Sequence, residues 1–579
     1  MHMDSASNGT VRFGPFELDA RAGYLRKGKT RLHLQPQPFK LLSLLVSRAG
    51  QLVTREEIQH QLWDEDTFVD FEQSLNVCIR QIRTALNDTP AAPRFVETVP
   101  RRGYRFIAPM TKVAHFARVD SLAVLPFENS TGDPEIEYLC QGIAESLINT
   151  LSAVPQLRVV PRQTAFRFTN TSDLRKAARE LNIRAAVSGR IILLGQSINV
   201  QAELVDLETH SQLWGGQCRR KLSDMIELQE EISREICQHL RLRLSRGESR
   251  RLRKRGTRNS EAYQLYLKGR YCSEKRTLEG LHKAIKYFNQ ATANDPRYPL
   301  AYAGLADAYT LLGSGTYGAM PSKNARARAT EMAGRALEMD DTLAEAHTSL
   351  AFVRFRFDWA WQGAELEFER AIELNPRYVT ARHWYALFLA ALGRQGEAIK
   401  EIKKARQLDP LALIVSVAEG RILHFARRFD DAIEQFRGIL ELDPNFIPAH
   451  CDLGASLEAK GMVQQALAEF ETCVALSRGG PLYVASVAEA HARLGNRDVA
   501  LKILSQLQAS TDQYVSPASI ALIYSSLGET DHAFSWQEKA YEERDASLAW
   551  LKVAPESDAL RSDPRFTDLL RRMKFPVHA

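Results

Sequence analysis

The sequence predicts a multidomain chain in three parts: an α+β domain, then an α/β domain, then an all-α array. Three observations lead there. A two-faced helix over 71–86 runs into a hairpin with an arginine tip. Strands and helices alternate between 122 and 242, and from Ser260 onward small residues recur every 34 positions. At 579 residues the chain is too long for one core. Its hydrophobic fraction of 45% and charged fraction of 25% are globular values and exclude a mostly disordered or fibrous chain.

The first part opens with a stranded segment, Val11 to Leu34, rich in Phe, Tyr and Leu, with turns at Gly14-Pro15, Gly23 and Gly28. A core helix over Pro38 to Val46 follows and ends near Gly50. Thr54 with Glu57 has capping-box spacing, and Asp70 with Gln73 repeats it. In the next helix Leu75, Ile79, Ile82 and Leu86 fall on one stripe of a 3.6-residue period. The other side carries Gln73, Val77, Arg80, Gln81 and Thr84, side-chain types that read base edges in a major groove. Two short alternating strands, Phe95 to Val99 and Gly103 to Phe106, then flank Pro100-Arg101-Arg102.

This order of signals, from Phe13 to Pro109 and closing on Gly103-Tyr104-Arg105-Phe106, resembles the OmpR/PhoB-type winged helix. The resemblance implies double-stranded DNA as partner. It would put Trp63, Gln73, Ser74, Arg80 and Arg83 near phosphates and turn Val77 and Gln81 to the bases. Thr98, Arg101, Arg102 and Tyr104 would follow the backbone or minor groove. RNA polymerase and a second copy of the chain on DNA are further partners it suggests. Two departures bear on the operator: Gln81 and Pro100 stand where family members often have arginine. Fewer cations imply weaker, less salt-dependent anchoring.

The middle part begins with a buried-strand run, Leu122 to Phe127, and a turn cluster, Glu128 to Pro134. A helix over about Glu135 to Ala153 follows, with Leu139, Ile143, Leu147 and Leu151 at four-residue steps. Strands are expected at Leu157–Val160, Ala185–Leu194, Ser197–Leu207 and Gln212–Arg219, with helices near Leu174–Leu181 and Met225–Leu242. The opening Leu122 to Asn129 resembles TolB-like proteins, which makes this a sensing or scaffolding module of unknown ligand. The turn cluster has no Walker lysine, and Asp133 and Glu135 would repel phosphate, so turn chemistry is the favoured reading.

Residues 241–258 hold nine Arg or Lys against one acid, Glu248, while the whole chain has a net charge of +6. That basic run can be a solvated face, a hinge or a nonspecific phosphate contact.

In the last part Ala364, Ala398, Ala432, Ala466 and Ala500 keep a 34-residue step, as do Asn375-Pro376, Asp409-Pro410 and Asp443-Pro444. The pattern resembles tetratricopeptide repeats. Alanine lets paired helices approach, and proline stops the second helix. About eight units are expected, with an insertion around Gly313 to Pro321 and a tail, Asp563 to Lys574, capping the last pair. Such arrays bind a protein or peptide on the concave face. Trp359, Trp361, Trp384 and Tyr385 could line it, although inter-helix packing is their commoner role. The domains expected are thus 10–110 winged helix, 120–243 TolB-like, 244–259 basic linker and 260–575 repeats.

Seven scattered cysteines, without CxxC pairs, read as reduced thiols. No catalytic group stands beside a positioned partner, so neither enzyme chemistry, cofactor nor metal is expected. Met1 to Thr10 lacks the apolar stretch of a signal peptide, and no run reaches the ~18 apolar residues of a membrane helix. This sets the chain apart from CadC/ToxR-like regulators and points to the cytoplasm. The domain resembling the winged helix starts within about ten residues of Met1, which leaves no room for a receiver domain. The function expected is a sequence-specific DNA-binding transcriptional regulator with C-terminal sensing or interaction modules. The alternative is a tetratricopeptide scaffold whose winged helix mainly contacts protein.

Overall fold

The computed structural model describes residues 11–20, 23–28, 30–62, 71–112, 119–152, 154, 156–168, 171–179, 181–240, 256–314 and 320–576. Trp63, Asp70, most of the basic run (241–255) and the centre of the glycine-rich string (315–319) lie outside them. The chain forms two compact units, 1–118 and 119–579.

In the first unit, β1 (Val11–Phe13), β2 (Phe16–Asp19), β3 (Tyr24–Lys27), β4 (Thr30–Leu32) and β8 (Met110–Lys112) make an antiparallel sheet of order β4-β3-β2-β1-β8. The closing strand β8 carries too little periodic signal to be expected from sequence. A second sheet, β5-β7-β6, joins β5 (Leu52–Thr54), β7 (Gly103–Phe106) and β6 (Val96–Val99). Three helices, α1 (Pro36–Ser47), α2 (Arg55–Leu62) and α3 (Phe71–Leu86), share one core with both sheets, including Leu41, Leu42, Leu45, Leu75, Ile79, Ile82 and Leu86. The expected capping box is present and reciprocal. Thr54 N donates to Glu57 Oε2 at 2.8 Å, and Glu57 N donates to Thr54 Oγ1 at 3.2 Å.

The second unit starts with a mixed sheet of order β11-β9-β12-β13-β14. The strands β9 (Ser121–Val124), β11 (Arg158–Val159) and β12 (Ala185–Leu194) run parallel, while β13 (Ser197–Asp206) and β14 (Gln212–Lys221) continue as an antiparallel meander. The strand expected over Leu122–Phe127 stops at Val124. Pro126 has no N–H for the ladder, and pairing resumes at β10 (Glu128–Asn129). The turn cluster satisfies itself: Asn129 Oδ1 accepts from Thr131 N and Gly132 N, and Asp133 Oδ1 accepts from Glu135 N at 2.9 Å. Helix α4 (Glu137–Ser152) buries Leu139, Ile143, Leu147 and Leu151 against the sheet. Helices α5 (Arg162–Ala165), α6 (Thr171–Ala178) and α7 (Met225–His239) complete the layer.

The core of this layer does not close on itself. Tyr263, Leu267, Ala291, Tyr298 and Ala301, all from the beginning of the repeats, belong to it. Gly142 of α4 meets Leu267 so closely that an added Cβ would lie 3.0 Å from its side chain. Arg270 donates to Glu145 at 2.8 Å and to Glu274 at 3.1 Å, and Tyr263 Oη donates to Gln229 Oε1 at 2.7 Å.

Eight helix pairs follow among the described residues, from Ser260–Glu274 with Leu278–Asn294 to Pro517–Ser526 with Thr530–Glu542. Ala364, Ala398, Ala432, Ala466 and Ala500 are fully buried where paired helices touch. Trp359, Trp361, Trp384 and Tyr385 are buried too, so packing is their role rather than an open groove. The tail does more than cap the last pair. Arg572 pairs with Glu538 and Arg565 with Asp531 there, but the tail, which the structure extends back to Ala546, also crosses to earlier repeats. Trp361 Nε1 donates to Met573 O at 2.9 Å, Lys552 Nζ to Leu392 O at 3.0 Å, and Arg427 pairs with Asp558 at 2.7 Å.

Candidate nucleic-acid interface

The apolar stripe of α3 decides what its other side does. Leu75, Ile82 and Leu86 are 0% exposed and Ile79 is 3%, so the helix is rotationally locked and its far side must face outward. Gln73, Asn76, Val77, Arg80, Gln81 and Thr84 are exposed. Val77, at 43%, is an apolar side chain left in water on an otherwise polar ridge.

The hairpin beside it is built by three devices. Residues 100–102 form a tight three-residue loop. Val99 pairs with Gly103, Arg102 N donates to Val99 O at 3.1 Å, and Arg101 takes a left-handed φ of 61°. Gly103 is required by crowding: a Cβ there would stand 2.1 Å from Val53 O on the neighbouring strand. Asp88, just past α3, accepts from the backbone N–H groups of Arg94 (2.7 Å), Val96 (2.9 Å), Phe95 (3.2 Å) and Thr89 (3.1 Å). Burial pushes the Asp88 carboxyl up, but these four donors outweigh it and hold it below the usual carboxylate range.

Arg80, Arg101 and Arg102 are exposed and have no carboxylate partner among the described residues. Arg83 is different. Its Nη2 donates to Val96 O at 3.0 Å and to Thr98 Oγ1 at 2.8 Å, tying α3 to β6. Arg83, expected near a phosphate, and Thr98, expected along the backbone or minor groove, thus hold the wing to the helix. Ser74 is half-buried at the edge of the ridge.

Tyr104 is a correction. Expected to follow the DNA backbone or minor groove, it is 2% exposed. Strand alternation places it on the face of Phe106, which points into the core. Its hydroxyl donates to Asn76 Oδ1 at 3.2 Å, a second tie between wing and helix. Arg55 lies over its ring at 5.6 Å and pairs with Glu72. Sequence reasoning passed over Asn76, Asp88 and Arg55. Asp88 alone had a signal, an Asn-Asp pair at a helix end before prolines.

Three family matches coincide with the three parts. Residues 28–106 match the family described as transcriptional regulatory protein, C terminal. Residues 117–237 match the HilA/YgeH-like transcriptional regulator, second domain, and 361–412 match a tetratricopeptide repeat. The middle part is thus a HilA-like second domain, and the TolB likeness rests on Leu122 to Asn129 alone. Among relatives, transcriptional regulator HilA of Salmonella typhimurium is 26% identical over 74% of this chain and 75% of its own length. A Rhizobium meliloti protein provisionally named adenylate cyclase 3 is 33% identical over 40% of this chain and 39% of its own. The KDP operon regulatory protein KdpE of Escherichia coli is 30% identical over 18% of this chain and 45% of its own. The chain therefore spans less than half of the latter two and three quarters of HilA. With an OmpR/PhoB-type winged helix, a HilA-like second domain and tetratricopeptide repeats, it has the domain set of a DNA-binding transcriptional regulator.

Proposed function

We propose that this regulator reads a duplex operator by laying α3 in the major groove. Val77 and Gln81 meet base edges there, Val77 suiting a thymine methyl and Gln81 an adenine. Arg80, Arg101 and Arg102 supply phosphate contacts with Gln73 and Ser74 beside them, while Arg83, Thr98 and Tyr104 keep the wing in register. The observation that carries this reading is the locked, exposed ridge of α3 beside three cations without acidic partners among the described residues.

In this reading the HilA-like domain and the repeats receive a partner or signal and change dimerisation or access to DNA. RNA polymerase and a second copy at a paired half-site are the further contacts. No helix among the described residues is long and apolar enough to cross a membrane. We further take the protein to act in the cytoplasm and to catalyse nothing.

The test is fluorescence anisotropy of the full chain on genomic fragments across a salt series. The triple variant Arg80→Ala, Arg101→Ala, Arg102→Ala should weaken binding. It should also reduce the log–log salt slope by about 0.9 for each phosphate no longer neutralised. A wild-type chain that binds no duplex at low salt would hand the case to the scaffold alternative.

A further inference from the structure

The first, second, third and fifth repeat pairs hand over to the next through an Asp or Asn whose side chain caps the backbone two residues on. Asp295 Oδ1 accepts from Arg297 N at 2.9 Å, and Asp340 Oδ1 from Thr342 N at 3.1 Å. Asn375 Oδ1 accepts from Arg377 N at 3.2 Å, and Asp443 Oδ1 from Asn445 N at 3.1 Å. The loop between the fourth and fifth pairs breaks this pattern. There the hydroxyl of Thr164, on α5 of the HilA-like domain, stands between the two groups. Leu411 N donates to Thr164 Oγ1 at 3.0 Å, and Thr164 Oγ1 donates to Asp409 Oδ1 at 2.5 Å. Thr164 is 1% and Asp409 3% exposed. A residue 245 positions away thus completes a turn that its counterparts complete alone.

The bridge lies far along the array from where the domain is rooted. The domain shares its core with Tyr263 and Leu267 of the first pair and with Tyr298 and Ala301 at the start of the second. Arg162, two residues before Thr164, pairs with Glu274 of the first pair at 3.4 Å and with Glu145 of α4 at 3.2 Å. At the far end, just before the fourth pair, Arg377 Nη1 donates to Leu157 O at 2.6 Å. Repeat arrays curve, and a body that joins the first pair to the fourth and fifth lies on the inner side of that curve. The opposite turns, inside the second to fifth pairs, are bound by the tail. Ala546 meets Ser322 and Arg356, Met573 meets Trp361, Lys552 meets Leu392, and Asp558 meets Arg427. That side is apolar, with Leu548, Leu551 and Phe575 in its core, whereas the far end of the domain is held by polar contacts. We propose that Thr164 is the clasp of a hinged closure. The HilA-like domain shuts the inside of the repeat superhelix, the tail-bound side is the hinge, and breaking the Thr164–Asp409 bridge opens the array to a partner. Entry of a partner rests on the reading of the repeats as the receiving module; the clasp itself does not.

Release leaves no orphaned group behind. Without the Thr164 hydroxyl, Leu411 N–H can turn to Asp409 as its counterparts do, so the repeat keeps its turn while the domain loses its hold. Charge sets the strength of the clasp. Burial raises the Asp409 carboxyl and Glu274 adds to this, against the Thr164 bonds and Arg162, which leaves it at about 6. The clasp is therefore fullest below the ordinary carboxylate range and weakens as pH rises through about 6. At neutral pH an ionised carboxylate is held against burial, so this contact yields before the apolar side does.

The experiment is hydrogen–deuterium exchange of the full chain without DNA, read by mass spectrometry as protection factors, which divide out the intrinsic effect of pH. Segments 157–168 and 407–415 report the clasp, 546–575 the hinge, and helix Phe429–Leu442 the fold of the array. Wild-type protection at the clasp should fall between pH 5 and pH 7.5. Thr164→Ala should lower it about fivefold at pH 5, the loss of one net hydrogen bond, and leave the hinge and the helix unchanged. Thr164→Ser should keep wild-type protection. Asp409→Asn, which retains the acceptor and removes the charge, should stay protected across the same pH range. The Arg80→Ala, Arg101→Ala, Arg102→Ala variant should match wild type at the clasp, so failure of DNA binding and failure of the clasp are read apart. Unchanged clasp protection in Thr164→Ala overturns the inference. So does a loss shared by the hinge and the helix, which would make Thr164 a support of the whole fold, or a pH dependence that persists in Asp409→Asn.

Discussion

His347 illustrates how single side chains build the array. Its Nδ1 meets Glu367 Oε2 at 2.5 Å and its Nε2 meets Asp341 O at 2.9 Å. A carboxylate and a carbonyl only accept, so both ring nitrogens must donate and the clamp requires the imidazolium. Burial lowers the His347 pKa, but the Glu367 and Asp341 bonds outweigh it and leave the group raised. Its contribution to stability is therefore complete below the ordinary histidine pKa and disappears as pH rises through the raised folded value. Glu367, held below its usual range despite burial by His347 and Arg354, contributes in the opposite sense and fails only in acid. Thermal melts of His347→Gln across pH should be flatter than wild type as pH rises from the ordinary histidine pKa. Parallel curves would show that the clamp does not titrate. At the wing, Tyr104→Phe should lower winged-helix stability by about 1 kcal/mol through loss of the Asn76 bond. It should leave the salt slope of DNA binding unchanged, because the residue touches no phosphate in the proposed complex. Both roles were hidden in the sequence: a tyrosine in a Gly-Tyr-Arg-Phe strand reads equally as a surface or a core residue. Only the face shared with Phe106 separates the two.

Elements were more legible than residues, for a reason visible in the repeats. Helix pairs 34 residues apart meet through small side chains, so spacing alone marks the contact. The contact is close enough to test. A Cβ on Gly454 would stand 2.4 Å from the Phe470 ring, and one on Gly420 would stand 2.5 Å from Phe436. Gly454→Ala should destabilise the array by about 1–3 kcal/mol, the range for forcing extra volume into a packed core. Chemical denaturation would register it, and an unchanged midpoint would mean that the helices separate freely. Caps behave the same way. Thr54→Ala removes one half of the reciprocal box at α2 and should cost about 1 kcal/mol, read by melting of the winged helix. Elements without periodicity were missed: β8 is three residues long, and the π turn at Arg354–Asp358 breaks the helical register that the 34-residue step implies.

At the scale of the molecule, the boundary that matters is not composition. The α/β layer and the first repeats share one core, and the tail joins the last repeat to the third, fourth and fifth. Truncation after Asp545 removes Trp550, Leu551, Leu560, Phe566, Leu569, Met573 and Phe575 from that core. At about 25 cal/mol per Å² of apolar surface this is a loss of many kcal/mol. The truncated chain should lose the cooperative melt of the 119–579 unit and bind a hydrophobic dye. Retention of the wild-type melt would show the tail to be dispensable.

What the sequence determined by itself was local and periodic. Apolar stripes named the helices and their outward faces, alternation named the strands, and a 34-residue step named the repeats, because each pattern is set by one element's own geometry. What tertiary structure alone decided was long-range pairing: Arg83 with Thr98, Tyr104 with Asn76, and the tail with Trp361 and His424. The last two join residues 212 and 132 positions apart. No period encodes contacts of that kind, since they depend on how whole elements pack and not on the order of residues within them.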